Sequence, residues 1–151
     1  MRSEGGGSVV AATNLTLRDN ARIEDYNGWG GDGGAAGVNL AAFYDDTSML
    51  CEGTYADICG ACLSGEVQLA GNSSVVARNT SAKVQGGALC GQYPKQNLVL
   101  SDTASVTVTG SRAELRGGAI FAHNVTVTEL DLSFNRVDEY GAVELARMLK
   151  Q

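Results

Sequence analysis

The chain is expected to fold as a mainly β protein: a parallel β-helix of about 4 to 5 rungs followed by a short strand–turn–helix unit. Three observations predict this. Residues 67–91 (VQLAGNSSVVARNTSAKVQGGALCG) and residues 98–122 (LVLSDTASVTVTGSRAELRGGAIFA) are two ungapped copies of one unit. Self-similarity at a fixed period marks a repeat architecture. Openings of the same kind recur at residues 14, 39, 66, 97 and 124, at intervals of 25, 27, 31 and 27. Each interval holds about three short alternating segments bounded by Gly, Asn, Asp or Ser, which read as strands between turns. Three strands per interval, repeated, imply coils that stack strand on strand.

Composition agrees. Twenty Gly and one Pro favour regular, tightly turned structure over a Pro-rich linker. A net charge of −6 without any Lys/Arg cluster argues against nucleic acid as a partner. No apolar run is long enough to span a bilayer. The first residues, MRSEGGGSVVAATN, hold no apolar core of signal-peptide length. Residues 1–13 are read as a lead, and the chain is expected to be a piece of a longer protein.

Residues 14–128 are expected to form the β-helix. Asn14-Leu15-Thr16-Leu17 and the run at Ala21 to Ile23 open it. A Gly-dense turn with Trp29 follows, in which Gly33-Gly34-Ala35-Ala36 resembles a degenerate Gly-Gly-Ala signal. Residues 41–65 are the least regular stretch. They hold Phe43, Tyr44, Tyr55 and three of the four cysteines, and read as a rung with an extended loop. That loop, from residue 43 to 63, is the expected recognition element, because long loops on a regular scaffold carry binding. In the two clear copies, Leu69, Val75, Val84, Leu100, Val106 and Leu115 are expected to point inward and stack. Gly86-Gly87-Ala88 and Gly117-Gly118-Ala119 would sit where the backbone bends and a small side chain points in. A sandwich would need two-residue hairpin signals between neighbouring strands. The one Asn-Gly, Asn27-Gly28, lies in the Gly cluster.

Residues 129–151 change character. Glu129 to Val137 matches the pattern L-x-L-x-x-N-x-φ, and apolar residues at 142, 145, 146 and 149 follow a helical period. The leucine-rich motif residues are Leu130, Leu132, Asn135, Gly141, Leu145 and Leu149, with Glu129, Asp131 and Ser133 expected to point outward.

These motifs carry two resemblances. Gly86-Gly87-Ala88-Leu89, Gly117-Gly118-Ala119-Ile120 and Phe121-Ala122-His123-Asn124 resemble the GGA[ILV] and FxxN repeats of the chlamydial polymorphic outer membrane proteins. That resemblance implies a right-handed parallel β-helix and a cell-surface adhesin. Residues 130–149 resemble one leucine-rich repeat of the ribonuclease-inhibitor type. The two together imply a fragment of a larger protein.

Several constellations invite chemistry. Cys51, Cys59, Cys62 and Cys90 are candidates for disulfides in any of three connectivities, for buried thiols, or for metal ligands; Cys59 and Cys62 form a C-x-x-C. Asn14, Asn72, Asn79 and Asn124 head N-x-[ST] sequons, either glycan acceptors or turn residues. Glu24-Asp25 and Asp45-Asp46 are adjacent in sequence, so their side chains face opposite sides of a strand and form no site alone. Asp45, Asp46 and Asp57 lack a calcium-loop pattern. The Gly-rich run 30–34 lacks the Lys-Ser/Thr of a phosphate loop. His123 stands without a nucleophile partner in its motif. Trp29, Tyr26, Phe43 and Tyr44 read as an aromatic contact patch or as packing.

The expected function is therefore non-catalytic. The chain reads as an extracellular or cell-surface adhesion scaffold without metal or cofactor, with a protein or glycan partner and end-to-end self-association through its exposed end rungs. Two other classes are an intracellular leucine-rich protein-binding module and, with less support, a β-helix enzyme acting on polysaccharides.

Overall fold

The computed structural model describes residues 2–4, 10–11, 13–91, 97–116, 118–126 and 129–131. Their order is β1 (Arg2–Glu4), β2 (Val10–Ala11), β3 (Asn14–Leu17), β4 (Arg22–Tyr26), β5 (Trp29–Asp32), β6 (Ala36–Phe43), β7 (Ser48–Glu52), β8 (Tyr55–Cys59), β9 (Leu63–Leu69), β10 (Ser74–Arg78), β11 (Ser81–Ala82), β12 (Leu89–Cys90), β13 (Leu98–Leu100), β14 (Ser105–Thr109), β15 (Arg112–Ala113), β16 (Ile120–Phe121), β17 (Val125–Thr126) and β18 (Glu129–Asp131). There is no helix among the described residues.

The strands wind into a parallel β-solenoid of about 4 turns. Three sheets run along it. The first is ordered β1-β4-β7-β10-β14-β18 and the second β15-β11-β8-β5. The third gathers β2, β3, β6, β9, β12, β13, β16 and β17. Every strand pairing among the described residues is parallel, so each strand lies on its counterpart one coil away at about 4.8 Å. Pairing runs beyond residues 14–128 on both sides: β1 and β2 join β4 and β6, and β18 joins β14.

Parallel register converts sequence repetition into columns of like side chains. Inside the first sheet, Ile23, Met49, Val75 and Val106 stack. Inside the third, Leu17, Phe43, Leu69 and Leu100 stack. A second column there is Ala36, Leu63, Leu89 and Ile120. All of these are buried. The second sheet's inner positions are Gly30, Ala56, Ala82 and Ala113, so its backbone closes the interior with little side-chain bulk.

Each coil turns three corners, and the described corners each use a left-handed residue. Asp19, Asp45, Gly71 and Asp102 occupy the first corner with φ of 62, 59, 68 and 58°. Asn27, Gly53, Asn79 and Gly110 occupy the second (56, 67, 52 and 64°). Gly33, Gly60 and Gly86 occupy the third (71, 64 and 52°). Asn, Asp and Gly are the residues that tolerate this conformation.

Three sequence expectations need correction. Residues 41–65 carry no extended loop: β6, β7, β8 and β9 follow one another as in the other coils. The extra length lies elsewhere. Cys90 pairs with Ser64 but Leu98 pairs with Val67, so seven residues of one coil stand opposite two of the coil before. Cysteine content made 41–65 look irregular, yet cysteine fits a buried column as any small apolar residue does. Second, Asn14 pairs with Leu40 rather than Asn39, and Leu40 in turn pairs with Glu66, so the step there is 26 residues on both sides. Third, Val84 is only half-buried and Leu115 is 61% exposed. β11 and β15 end at Ala82 and Ala113, and the backbone leaves strict alternation before the isolated bridge at Gln85 and Arg116. Of the two readings left open for the aromatic residues, core packing holds for Phe43.

The Gly-Gly-Ala bend has a steric reason. A Cβ on Gly87 would run into the backbone carbonyl oxygens of Arg112 and Gly118, which have no room to move. Gly87→Ala is expected to destabilise the fold by roughly 3 kcal/mol. Gly31→Ala, whose Cβ would meet nothing within 4 Å, should be close to neutral. Thermal melts of the two variants side by side check the contrast, and equal melting temperatures would contradict it.

Candidate interaction surface

The sequence-selected residues scatter over the solenoid, and the structure gives each a local role. Cys51 bonds Cys62 and Cys59 bonds Cys90. The C-x-x-C is thus not a pair. Cys59-Gly60-Ala61-Cys62-Leu63 is the second coil's version of the Gly-Gly-Ala corner: Leu63 pairs with Leu89, which places Cys62 level with Ala88. Cys51 and Cys62 face each other inside the solenoid, joining the first sheet to the third corner, and both are fully buried. Cys59 and Cys90 clip one coil to the next, 31 residues apart. Among the described residues no group of His, Cys, Asp or Glu has the arrangement of a metal site.

The acidic residues are mostly structural. Glu24 takes an ion pair from Arg22 at 2.7 Å on the outer face of β4, while Asp25 points inward and is buried against Gly28. At the first corner Asp45 Oδ2 accepts from the Asp19 amide at 3.2 Å, and Asp102 Oδ2 accepts from the Gly71 amide at 3.0 Å. Asp46 Oδ1 accepts from Asn72 Nδ2 at 2.9 Å. These carboxylates hold the left-handed corners to one another, and Asp57 lies apart from them on the second sheet.

The sequon asparagines differ in setting. Asn14 and Thr16 are both exposed on β3. Asn72 is exposed at the first corner, and Asn79 at the second, in left-handed conformation. Asn124 is half-buried and donates from Nδ2 to Asn97 Oδ1 at 3.2 Å. Gly86, Ala88, Leu89, Gly118, Ala119 and Ile120 of the repeat motif are buried at the third corner and the start of the third sheet; Phe121 is half-buried beside Cys90. Gly117 lies outside the described residues. So do Leu132, Asn135, Gly141, Leu145 and Leu149 of the leucine-rich motif; the backbone of Leu130 belongs to β18.

What the sequence reading missed is the outer face of the second sheet. Of the exposed large hydrophobic residues among those described, Trp29 (54%), Ile58 (40%) and Leu115 (61%) all lie there or at its edge, Val99 being the other one. Register arranges this face in three columns. Trp29, Tyr55, Ser81 and Arg112 form the first. Asp57, Lys83 and Glu114 form the second, two residues further along each strand; the Lys83 amide donates to Ala56 O and the Glu114 amide to Ala82 O. Ile58, Val84 and Leu115 form the third, where the Gln85 amide donates to Ile58 O and the Leu115 and Arg116 amides to Val84 O.

Two physical causes produce this face. Gly and Ala fill the inner positions, so the sheet's larger apolar side chains are on the outside. A register shift between Gly30 and Asp32 adds one residue to β8 and turns Ile58 outward. The Tyr55 phenol has its pKa raised above 10 by partial desolvation first, then by the charge of Asp57, its hydrogen bond to Asp57, and the charge of Glu114. The face combines an aromatic pair, a line of alternating charge and an apolar line, a mixture suited to binding a surface partner.

Compared with models of known families, with curated proteins and with solved structures, the chain matches none.

Proposed function

We propose that the chain is a non-catalytic interaction scaffold of the cell-surface, adhesion type, presenting the outer face of its second sheet to a partner. One observation carries this reading: three of the four exposed large apolar side chains among the described residues, Trp29, Ile58 and Leu115, gather on one sheet or its edge rather than scattering over all three. Aromatic and apolar side chains exposed on one face, with a line of charge between them, give a surface that can bind by burial and by charge matching together. The stacked coils supply stiffness, since each coil is held by its neighbours. The paired cysteines support an oxidising setting outside the cytosol. The resemblance of the Gly-Gly-Ala repeats to the polymorphic outer membrane proteins, with their right-handed winding, points the same way. The leucine-rich reading rests on residues outside those described and on a reducing compartment.

The test is binding of the labelled, oxidised chain to intact cells. Trp29→Ala and Leu115→Ser are expected to lower binding several-fold, while Arg78→Ala on the first sheet leaves it unchanged. Binding that is the same for all three variants and the parent chain would overturn the assignment of the face.

A further inference from the structure

The second-sheet face is complementary to itself. We infer that its partner is a second copy of this chain, a conclusion that rests on the interaction-scaffold reading above. For two identical faces to meet, the two-fold axis must lie in the plane between them. Let that axis run along the strands, between the second and third coils. Each column then faces its own counterpart with the coil order reversed.

The aromatic column and the central pairs of the other two match under this operation, while Glu114 and Leu115 of the fourth coil lie over the glycine position of the first coil. In the first, Trp29 of the first coil meets Arg112 of the fourth coil of the other copy, a guanidinium over an indole. Tyr55 meets Ser81. In the second, Asp57 meets Lys83, opposite in sign. Glu114 meets the position of Gly31, where no side chain opposes it. In the third, Ile58 meets Val84. Each contact occurs twice. Running the axis along the solenoid instead would set each coil against the same coil of the other copy. The charged column would then meet the aromatic and apolar columns, or Asp57 would oppose Asp57.

The area sets the strength. Four coils span about 14 Å, so the face buries far less than the about 800 Å² per partner of a stable dimer. Pairing is therefore weak and concentration-dependent, and it gains from display in many copies. The two solenoid axes run in opposite directions, as they would in copies projecting from two surfaces that face each other. The interaction is homophilic adhesion.

Sedimentation equilibrium of the oxidised chain at low salt, from roughly 10 μM to 1 mM, reads the pairing directly. A monomer–dimer equilibrium is expected. Asp57→Lys and Lys83→Asp should each raise the dissociation constant about tenfold or more. The double variant D57K/K83D should restore it, because the reversed charges face each other again. Far-UV circular dichroism on each variant separates loss of pairing from loss of fold. A monomer throughout the range overturns the inference, as does a folded double variant that pairs no better than the single ones. If the chain is monomeric but Trp29→Ala still loses binding to cells, the pairing fails alone and the face binds a foreign partner. If neither measurement responds, the scaffold reading fails with it.

Discussion

Reduction of the two disulfides is expected to lower the melting temperature of the domain by about 10 °C or more. Closing a loop of the 11-residue separation between Cys51 and Cys62 removes about 3 kcal/mol of unfolded-chain entropy at 25 °C. The 31-residue separation between Cys59 and Cys90 removes about 3.7 kcal/mol. The two loops overlap, so together they contribute less than the sum. Even so, the combined loss is a large share of the roughly 5–15 kcal/mol that holds a domain folded. The double variant C59S/C90S should cost more than C51A/C62A on loop entropy. The internal pair also fills space between the first sheet and the third corner, so its removal adds a cavity and narrows that difference. Thermal melts with and without reductant, with thiol titration to show that both bonds have opened, decide the matter. An unchanged melting temperature in fully reduced protein would mean that coil stacking alone carries the fold.

Phe43→Ala is expected to cost about 3–5 kcal/mol, the range for deleting a buried aromatic ring. Phe43 is fully buried and stands in a column with Leu17, Leu69 and Leu100. Its neighbours in that column are pinned by backbone pairing above and below, so they cannot move to fill the space. The loss also spreads, because each coil is stabilised by the next. Phe43→Leu copies the other members of the column and should cost less than about 1.5 kcal/mol. Denaturant titration of both variants checks the pair. Similar midpoints for Phe43→Ala and the parent chain would show that the column is loosely packed at this level.

Much of the architecture was legible in the sequence, and the reason is the parallel register. When each strand lies on its counterpart one coil away, a repeat in the chain becomes a column in space. Leu69 over Leu100 and Val75 over Val106 could be paired by shifting the sequence against itself, and the strands pair in that way. The Gly-Gly-Ala corner was legible because its chemistry repeats almost unchanged. The other two corners were not. Asp19, Asp45, Gly71 and Asp102 look unrelated as letters, as do Asn27, Gly53, Asn79 and Gly110. They share only a tolerance for left-handed backbone, which a comparison of residue types hides.

The candidate surface was less legible still. Trp29 reads as part of a Gly-rich turn, Tyr55 and Ile58 as part of a cysteine-rich irregularity, and Leu115 as a core residue. They fall on one face only after the coils stack. The misplacement of Leu115 has a definite cause: alternation predicts direction only while the strand continues, and β15 stops at Ala113.

By itself, the sequence determined the parallel solenoid, its three strands per coil and the stacking of Leu69 on Leu100 and Val75 on Val106, because hydrophobic spacing and Gly-Gly-Ala bends repeat in the letters of the two clear copies. Only the tertiary structure decided the cysteine pairing, the position of the extra residues between Cys90 and Leu98, and the outer face of the second sheet. Those depend on which coil lies over which, and on a one-residue register shift near Gly31, and a shift of that size leaves no mark on composition or period.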